Sequence, residues 1–351
     1  MCEYRAVDHK IKITLEAARS RVDGAVRALR LLAKRSRTLR RIKGRLKGKR
    51  QQAHLELAGL RARLAGEGGP RTTVNPEKMV WIFGSGRSGS TWLRSMMGEM
   101  GGHHVWEEPM VGRLFGEFYA RAPQENSRSA DFIMGEPIRK GWTRSIRNFV
   151  LDGASYSNPR LRPDDYLVIK EPNGSVGAVL LMEALPESRM ILLVRDPRDV
   201  VASVLDAARE GGWLYESRNG EASKRRSPVD KGPSAFAAKR ARVYRRGVES
   251  AKAAYDAHRG PKVLVRYEDL LADTLGTIKR LYAELDIVVD EDELTKAVEK
   301  YAWENVPEEE KGRGKFYRKA DPGGWKDDLT PKQAEIIERI TAPLLEEFYP
   351  G

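Results

Sequence analysis

Cysteine is nearly absent from this chain of 351 residues. The one copy is Cys2, so no disulfide can form within the chain. Histidine is scarce too, with 5 copies and no His/Cys cluster of the kind that holds zinc, so no metal is expected. No apolar run approaches the roughly 18 residues that cross a bilayer. The N-terminus carries mixed charge where a secretory signal would place an apolar core. A disulfide scaffold, a zinc-folded domain and a helical membrane protein are thereby set aside, and a reducing, cytoplasmic setting is expected.

Positive charge is what the chain has in excess, with a formal net charge of +13. Residues 1–70 hold 19 Lys and Arg against 6 Asp and Glu, while the remainder holds 44 of each sign. All of the excess therefore sits in the first fifth. From Leu15 to Leu64 a 3-4 spacing can be followed, apolar at twelve of fifteen positions, which argues for a long helix able to form a coiled coil. Gly44 and Gly48, with Lys43 and Arg50 in the seam, weaken its middle. Between Arg27 and Arg50 stand twelve basic residues and no acidic one, a block that repels itself unless an acidic partner covers it. The readings are a homo-oligomerising stalk, membrane association or polyanion contact through residues 27–50; no specific nucleic acid is expected. The expected organisation is a basic helical arm over 1–65, a linker over 66–77 and an α/β domain over 78–351.

That domain is organised around Met79–Met100. A short apolar strand runs into Gly84-Ser-Gly-Arg-Ser-Gly-Ser-Thr91 and then into a helix with an apolar face. Glycines let the backbone wrap an anion, and successive N–H groups at a helix start point at its oxygens. The spacing is that of a nucleotide-binding P-loop, except that Ser90 stands where the lysine belongs. A kinase-like NTPase wants that lysine on the transferred phosphates. Here the cation is Arg87, inside the turn, and this argues against a generic NTPase.

Further strands are expected at Tyr166–Lys170, Arg189–Val194 (nearly all apolar, hence central) and Lys262–Tyr267. Helices are expected at Ser90–Met100, Val176–Ala184, after Pro197, at Ala235–His258 and at Leu275–Leu285. Strands alternating with helices imply a P-loop-type central parallel sheet flanked by helices. Residues 110–160 show no sustained period. With 206–232 they are expected to line an acceptor site, offering Arg139, Lys140, Arg144 and Arg147 among Phe115, Phe118, Tyr119 and Trp142.

Arg87-Ser-Gly-Ser-Thr-Trp-Leu resembles the phosphosulfate loop of the sulfotransferases that use 3′-phosphoadenosine 5′-phosphosulfate (PAPS), in the form with arginine first. Three more motifs follow in that family's order. Arg195-Asp-Pro-Arg-Asp-Val-Val-Ala-Ser203 resembles its 3′-phosphate element, and Val265-Arg-Tyr267 the strand whose tyrosine meets adenine. Arg318-Lys-Ala-Asp-Pro-Gly-Gly-Trp-Lys326 resembles the loop that closes over the nucleotide, with Ala320 where the pattern has glycine.

The resemblance implies transfer of a sulfuryl group from PAPS, without metal, to a hydroxyl or an amine of a carbohydrate, lipid or small metabolite. It places Ser88, Gly89, Ser90, Thr91 and Trp92 on the 5′-phosphate and adenine. It places Arg195, Ser203, Arg318 and Lys319 on the 3′-phosphate side, with Tyr267, Trp303, Trp325 and Lys326 as walls or lid. Arg87 falls on the bridging oxygen and Lys170 on the sulfonate. Where many relatives have a histidine base, this chain has Pro172. The tyrosine-directed branch instead uses the second glutamate of a Gly-Glu-Glu run, which falls on Glu108, beside Trp106; Glu171 and His104 are the alternatives. A P-loop kinase and a polyanion-binding coiled-coil scaffold are the competing readings of the whole chain.

Overall fold

The computed structural model describes residues 74–121, 128–219 and 227–350. The basic arm expected over 1–65, and the linker up to residue 73, lie outside the described residues.

Five strands, β1 Met79–Gly84, β2 His103–Glu107, β3 Tyr166–Lys170, β4 Arg189–Val194 and β5 Lys262–Arg266, form one parallel sheet in the order β2-β3-β1-β4-β5. All six residues of β1 are buried. Its side chains alternate between two cores. Val80 and Ile82 join one, while Trp81 and Phe83, stacked at 5.5 Å, join the other. A sheet covered on both faces needs apolar residues on both, which is why its strands read as unbroken apolar runs.

Between β1 and β2 runs α1 (Ser90–Met97); between β2 and β3 run α2 (Val111–Arg121) and α3 (Arg139–Ser157). The helix α4 (Ala178–Ala184) precedes β4, and α5 (Pro197–Ala208) follows it with Asp196 as N-cap. Two short helices, α6 (Trp213–Asn219) and α7 (Pro228–Lys231), lead to α8 (Pro233–Ala257). Ala237, Ala241, Tyr244, Val248, Ala251 and Ala254 form the buried stripe of α8. After β5 come α9 (Tyr267–Ala272), α10 (Thr274–Glu284), α11 (Glu291–Lys300), α12 (Trp325–Asp328) and α13 (Pro331–Phe348), the last begun by a Thr330/Gln333 capping box. Among the described residues no helix is long and apolar enough to cross a membrane.

The parallel α/β architecture is as the sequence implies, with four local corrections. The helix expected to run to Met100 ends at Met97, capped at Gly98. Tyr267 starts α9 rather than ending β5. The segment Val176–Ala184 begins as a 3-10 turn over Pro172–Gly177 before α4. Residues 110–160 are not an irregular insertion: Trp142, Ile146, Val150 and Ala154 bury one narrow stripe of α3 against the core. Leu151 packs beside that stripe while Phe149 is exposed, so apolar residues off the buried face blur its period.

The registers Ile82↔Lys170 and Gly84↔Leu193 bring the C-terminal ends of β1, β3 and β4 to one edge. The connection after β1 leads to β2 on one side of the sheet and the connection after its neighbour β4 leads to β5 on the other, which makes the β1–β4 edge the topological switch point where open α/β sheets bind ligands. Replacing Phe83 with Ala at the sheet centre is expected to cost about 3–5 kcal/mol in urea unfolding. A loss below about 1 kcal/mol would contradict the central placing of β1.

Candidate active site

The turn after β1 is shaped by contacts that tolerate no side chain. Gly84 donates its N–H to Ser175 Oγ at 2.9 Å, and a Cβ there would lie 2.0 Å from the Leu193 carbonyl oxygen. Gly89 has φ +88, and a Cβ would lie 2.6 Å from the Tyr267 ring. No side chain caps α1 at Gly89. The N-terminal N–H groups of this helix thus point out of the turn, the arrangement that receives an anion. Ser88 serves the turn itself: it is buried, and its Oγ donates to the Ser85 carbonyl at 2.7 Å.

A cleft of about 890 Å³ opens over this edge. Of the residues singled out in the sequence, Arg87, Gly89, Ser90, Thr91, Trp92, Glu108, Lys170, Arg195, Ser203, Tyr267, Trp303, Arg318 and Lys319 line it. Ser88, Trp325 and Lys326 do not. Trp325 instead packs under the Arg198 guanidinium at 4.4 Å, and its N–H donates to Asp199, so it seals the junction of α5 with α12.

Of the arginines that line the cleft, Arg87, Arg195 and Arg318 were singled out in the sequence. Arg87, held in left-handed backbone at φ 74, donates from Nε to Ser203 Oγ at 3.0 Å and from a terminal nitrogen to the Phe316 carbonyl at 2.7 Å. The Trp213 and Phe316 rings flank it at 5.5 and 4.9 Å. Arg195 donates to the Arg87 carbonyl at 3.1 Å and lies 4.1 Å over the Tyr267 ring. Arg318 is ion-paired to Asp328 at 2.6 Å, and Lys319 meets the same carboxylate at 3.0 Å. Burial, then the neighbouring charges of Arg195 and Arg318, push the Arg87 guanidinium down to about 10, so it stays cationic at neutral pH. Arg195 Nε and one terminal nitrogen of Arg318 are buried and have no hydrogen-bond partner among the described residues. Buried donors of this kind are normally satisfied.

Across the cleft, Lys170 Nζ donates to Glu107 Oε1 at 2.6 Å and Glu108 Oε1 at 2.7 Å, and Asn173 donates to Glu108 Oε2 at 2.9 Å. Glu108 is thus set in an ion pair and not against Trp106, whose indole packs over Gly153. Its backbone is left-handed (φ 44), as is that of Met110 (φ 63). Such strained positions gather at functional sites when their surroundings over-determine them. The two alternative bases are occupied elsewhere. Glu171 is fully buried and accepts the N–H groups of Met110 and Gly112 at 2.9 and 3.1 Å, pinning that turn. His104 meets Asp165 at 3.0 Å, three residues before the end of β2.

Two of the four basic residues expected to offer an acceptor site from 110–160 are used otherwise, while Lys140 and Arg144 are exposed outside the cleft. Arg139 pairs with Glu183 and Glu136, and Arg147 with Glu187, while Phe115, Tyr119 and Trp142 pack on the core. None of the described residues of 110–160 lines the cleft; from 206–232 Trp213, Leu214 and Gly232 do. Sequence reasoning missed Trp213 and Phe316, and the two acids that order the arginine loop. Asp328 holds Arg318 and Lys319, and Asp199 accepts the N–H groups of Gly323 and Trp325 at 2.8 and 2.9 Å. Both acids stand inside or beside the quoted basic motifs, which was the available signal.

A strand-turn-helix cradle at a parallel sheet's switch point, ringed by arginines, forms a cationic cleft on an α/β fold. The family model described as "Sulfotransferase family" matches residues 80–291, and the chain belongs to that family. Among solved structures, sulfotransferase STF9 from Mycobacterium avium is 15% identical, with a TM-score of 0.50 over 79% of this chain and 78% of that one. Mouse sulfotransferase SULT7A1, complexed with PAP, is 15% identical, with a TM-score of 0.47 over 77% and 85%. At these identities the likeness concerns the fold. No curated protein matches the chain.

Burial raises the Glu171 carboxyl from 4.5 to about 7, outweighing the N–H groups it accepts. A carboxyl whose folded value is raised stabilises the fold fully below its unfolded value and loses that contribution as pH rises through the folded one. The stability advantage of wild type over Glu171→Gln is therefore expected to be larger at pH 5 than at pH 8 in urea melts. A constant difference would mean that Glu171 does not titrate in this window.

Proposed function

We propose that this sulfotransferase-family chain transfers a sulfuryl group from PAPS to a hydroxyl, or alternatively an amine, of a carbohydrate, lipid or small-molecule acceptor. One observation carries the reading. Arg87, Arg195 and Arg318 crowd one edge at mutual electrostatic cost, with buried donors unpartnered, beside an uncapped helix N-terminus. Anions at two ends of one ligand relieve that repulsion, and PAPS carries a 5′-phosphosulfate and a 3′-phosphate.

In this reading the N–H groups of Ser90–Trp92 and the Ser90 and Thr91 hydroxyls hold the 5′-phosphate. Arg195, Ser203, Arg318 and Lys319 hold the 3′-phosphate, and Trp92, set edge-on to Tyr267 at 6.3 Å, receives the adenine with Trp303. The acceptor oxygen attacks sulfur in line. A new S–O bond forms while the bridging S–O bond breaks, and its electron pair leaves on the 5′-phosphate of PAP. Arg87 neutralises that developing charge, exchanging its Phe316 carbonyl partner for the bridging oxygen. Lys170 faces the sulfonate, and the acceptor proton passes to Glu108. The arm over 1–65 is read from its charge as a separate oligomerising or polyanion-contacting segment.

The full-length protein is expected to be stabilised against heat by PAP, and Arg195→Ala to lose most of that shift. Stabilisation by ATP with Mg²⁺ but not by PAP would overturn the reading in favour of a P-loop kinase. In a screen of labelled PAPS against acceptor classes, Glu108→Gln should lower kcat by roughly 10²–10⁴-fold while leaving PAP binding near wild type. Wild-type turnover in that variant removes Glu108 from the role.

A further inference from the structure

The acidic residue beside the proposed base has its own place in the geometry. In an extended strand, consecutive side chains point to opposite faces. At the end of β2 the left-handed backbone of Glu108 breaks that alternation, and Glu107 and Glu108 both reach the ammonium of Lys170. The register supports this, because Glu107 lies directly beside Lys170 across the β2–β3 pair. The other carboxylate oxygen of Glu107, Oε2, is ion-paired at 2.6 Å with Nε of Arg94, which projects from α1, the cradle helix. An unbroken line of alternating charge thus runs from α1 through Arg94, Glu107 and Lys170 to Glu108. The lysine side chain is only 6% exposed, so it answers mainly to these neighbours and little to water.

We propose that Glu107, restrained by Arg94, is a specificity-determining residue that competes for the Lys170 ammonium and so sets how strongly the site grips the sulfonate of PAPS relative to PAP. The inference rests on the donor reading above and on Lys170 facing the sulfonate. Its physical sense is that a cation bound tightly to the ground-state sulfonate deepens substrate binding without speeding transfer. A shared ammonium leaves PAPS and PAP closer in affinity and keeps Lys170 positioned for the transition state. PAP lacks the sulfonate, so it reports on the phosphate sites without this contact.

The two neighbours of Lys170 make opposite predictions. In Glu107→Gln the lysine loses a competitor and the sulfonate loses a repelling charge, so the PAPS-to-PAP affinity ratio should rise. In Arg94→Gln the charge of Glu107 is no longer offset, so the ratio should fall. Each change is expected at roughly three- to tenfold, the scale of one half-exposed ion pair. Affinities of PAPS and PAP for the full-length protein would be measured without acceptor, before PAP accumulates, with PAP affinity unchanged in both variants as the sign of an intact fold. PAP binding with an unmoved ratio in both variants, or with both ratios moving the same way, overturns this inference alone. Failure of the wild type to bind PAP overturns the donor reading and this inference together.

Discussion

Repulsion among Arg87, Arg195 and Arg318 is the constraint that the rest of the site must accommodate. Burial, and then the neighbouring positive charges, push the Arg87 guanidinium down, and among the described residues only Arg318 of the three has a carboxylate within ion-pair reach, Asp328. The protein meets the cost with neutral groups. Ser203 Oγ and the Phe316 carbonyl accept from Arg87, aromatic faces cover Arg87 and Arg195, and the Tyr244 hydroxyl fixes the Arg195 carbonyl at 2.6 Å. Neutral partners orient a cation without discharging it, so the field remains available to an anionic ligand.

That cluster is possible because the sheet is parallel and its centre is β1. Parallel strands deliver all their C-terminal residues to one edge. Gly86, Lys170, Arg195 and Tyr267 therefore stand within one cleft although they are scattered along the chain. The close approach of Gly89 to the Tyr267 ring locks the cradle to the start of α9, and Asp199 locks α5 to the loop carrying Arg318. Opposite the arginines, Lys170 sits between two carboxylates. The cleft thus has one wall where positive charge exceeds its carboxylate partners and one where the charges alternate.

Most of the arginine-bearing wall was legible in the sequence, because its residues stand in short runs whose spacing is itself the geometry. A glycine turn followed by a helix start is local structure. The part played by residues 110–160 was not legible. Arg139 and Arg147 looked like ligands only while their partners Glu183 and Glu187, about forty positions away, were out of sight. Trp213 and Phe316, about a hundred positions apart, meet at 5.2 Å over Arg87, and neither lies in a run that announces a site.

What the sequence determined by itself was the alternation of strand and helix, the anion cradle and the identity of its cations. These follow from period, glycine placement and residue chemistry within a few positions. Tertiary structure alone decided what satisfies each candidate proton acceptor. Glu108, Glu171 and His104 can each accept a proton, so residue type does not separate them. Burial and two N–H groups occupy Glu171, Asp165 occupies His104, and a left-handed turn aims Glu108 beside Glu107 at one lysine. It also took Trp325 and Lys326 out of the cleft and put Trp213 into it. The reason is that a side chain's role depends on what already satisfies it, and those partners are set by the packing of elements far apart in the chain.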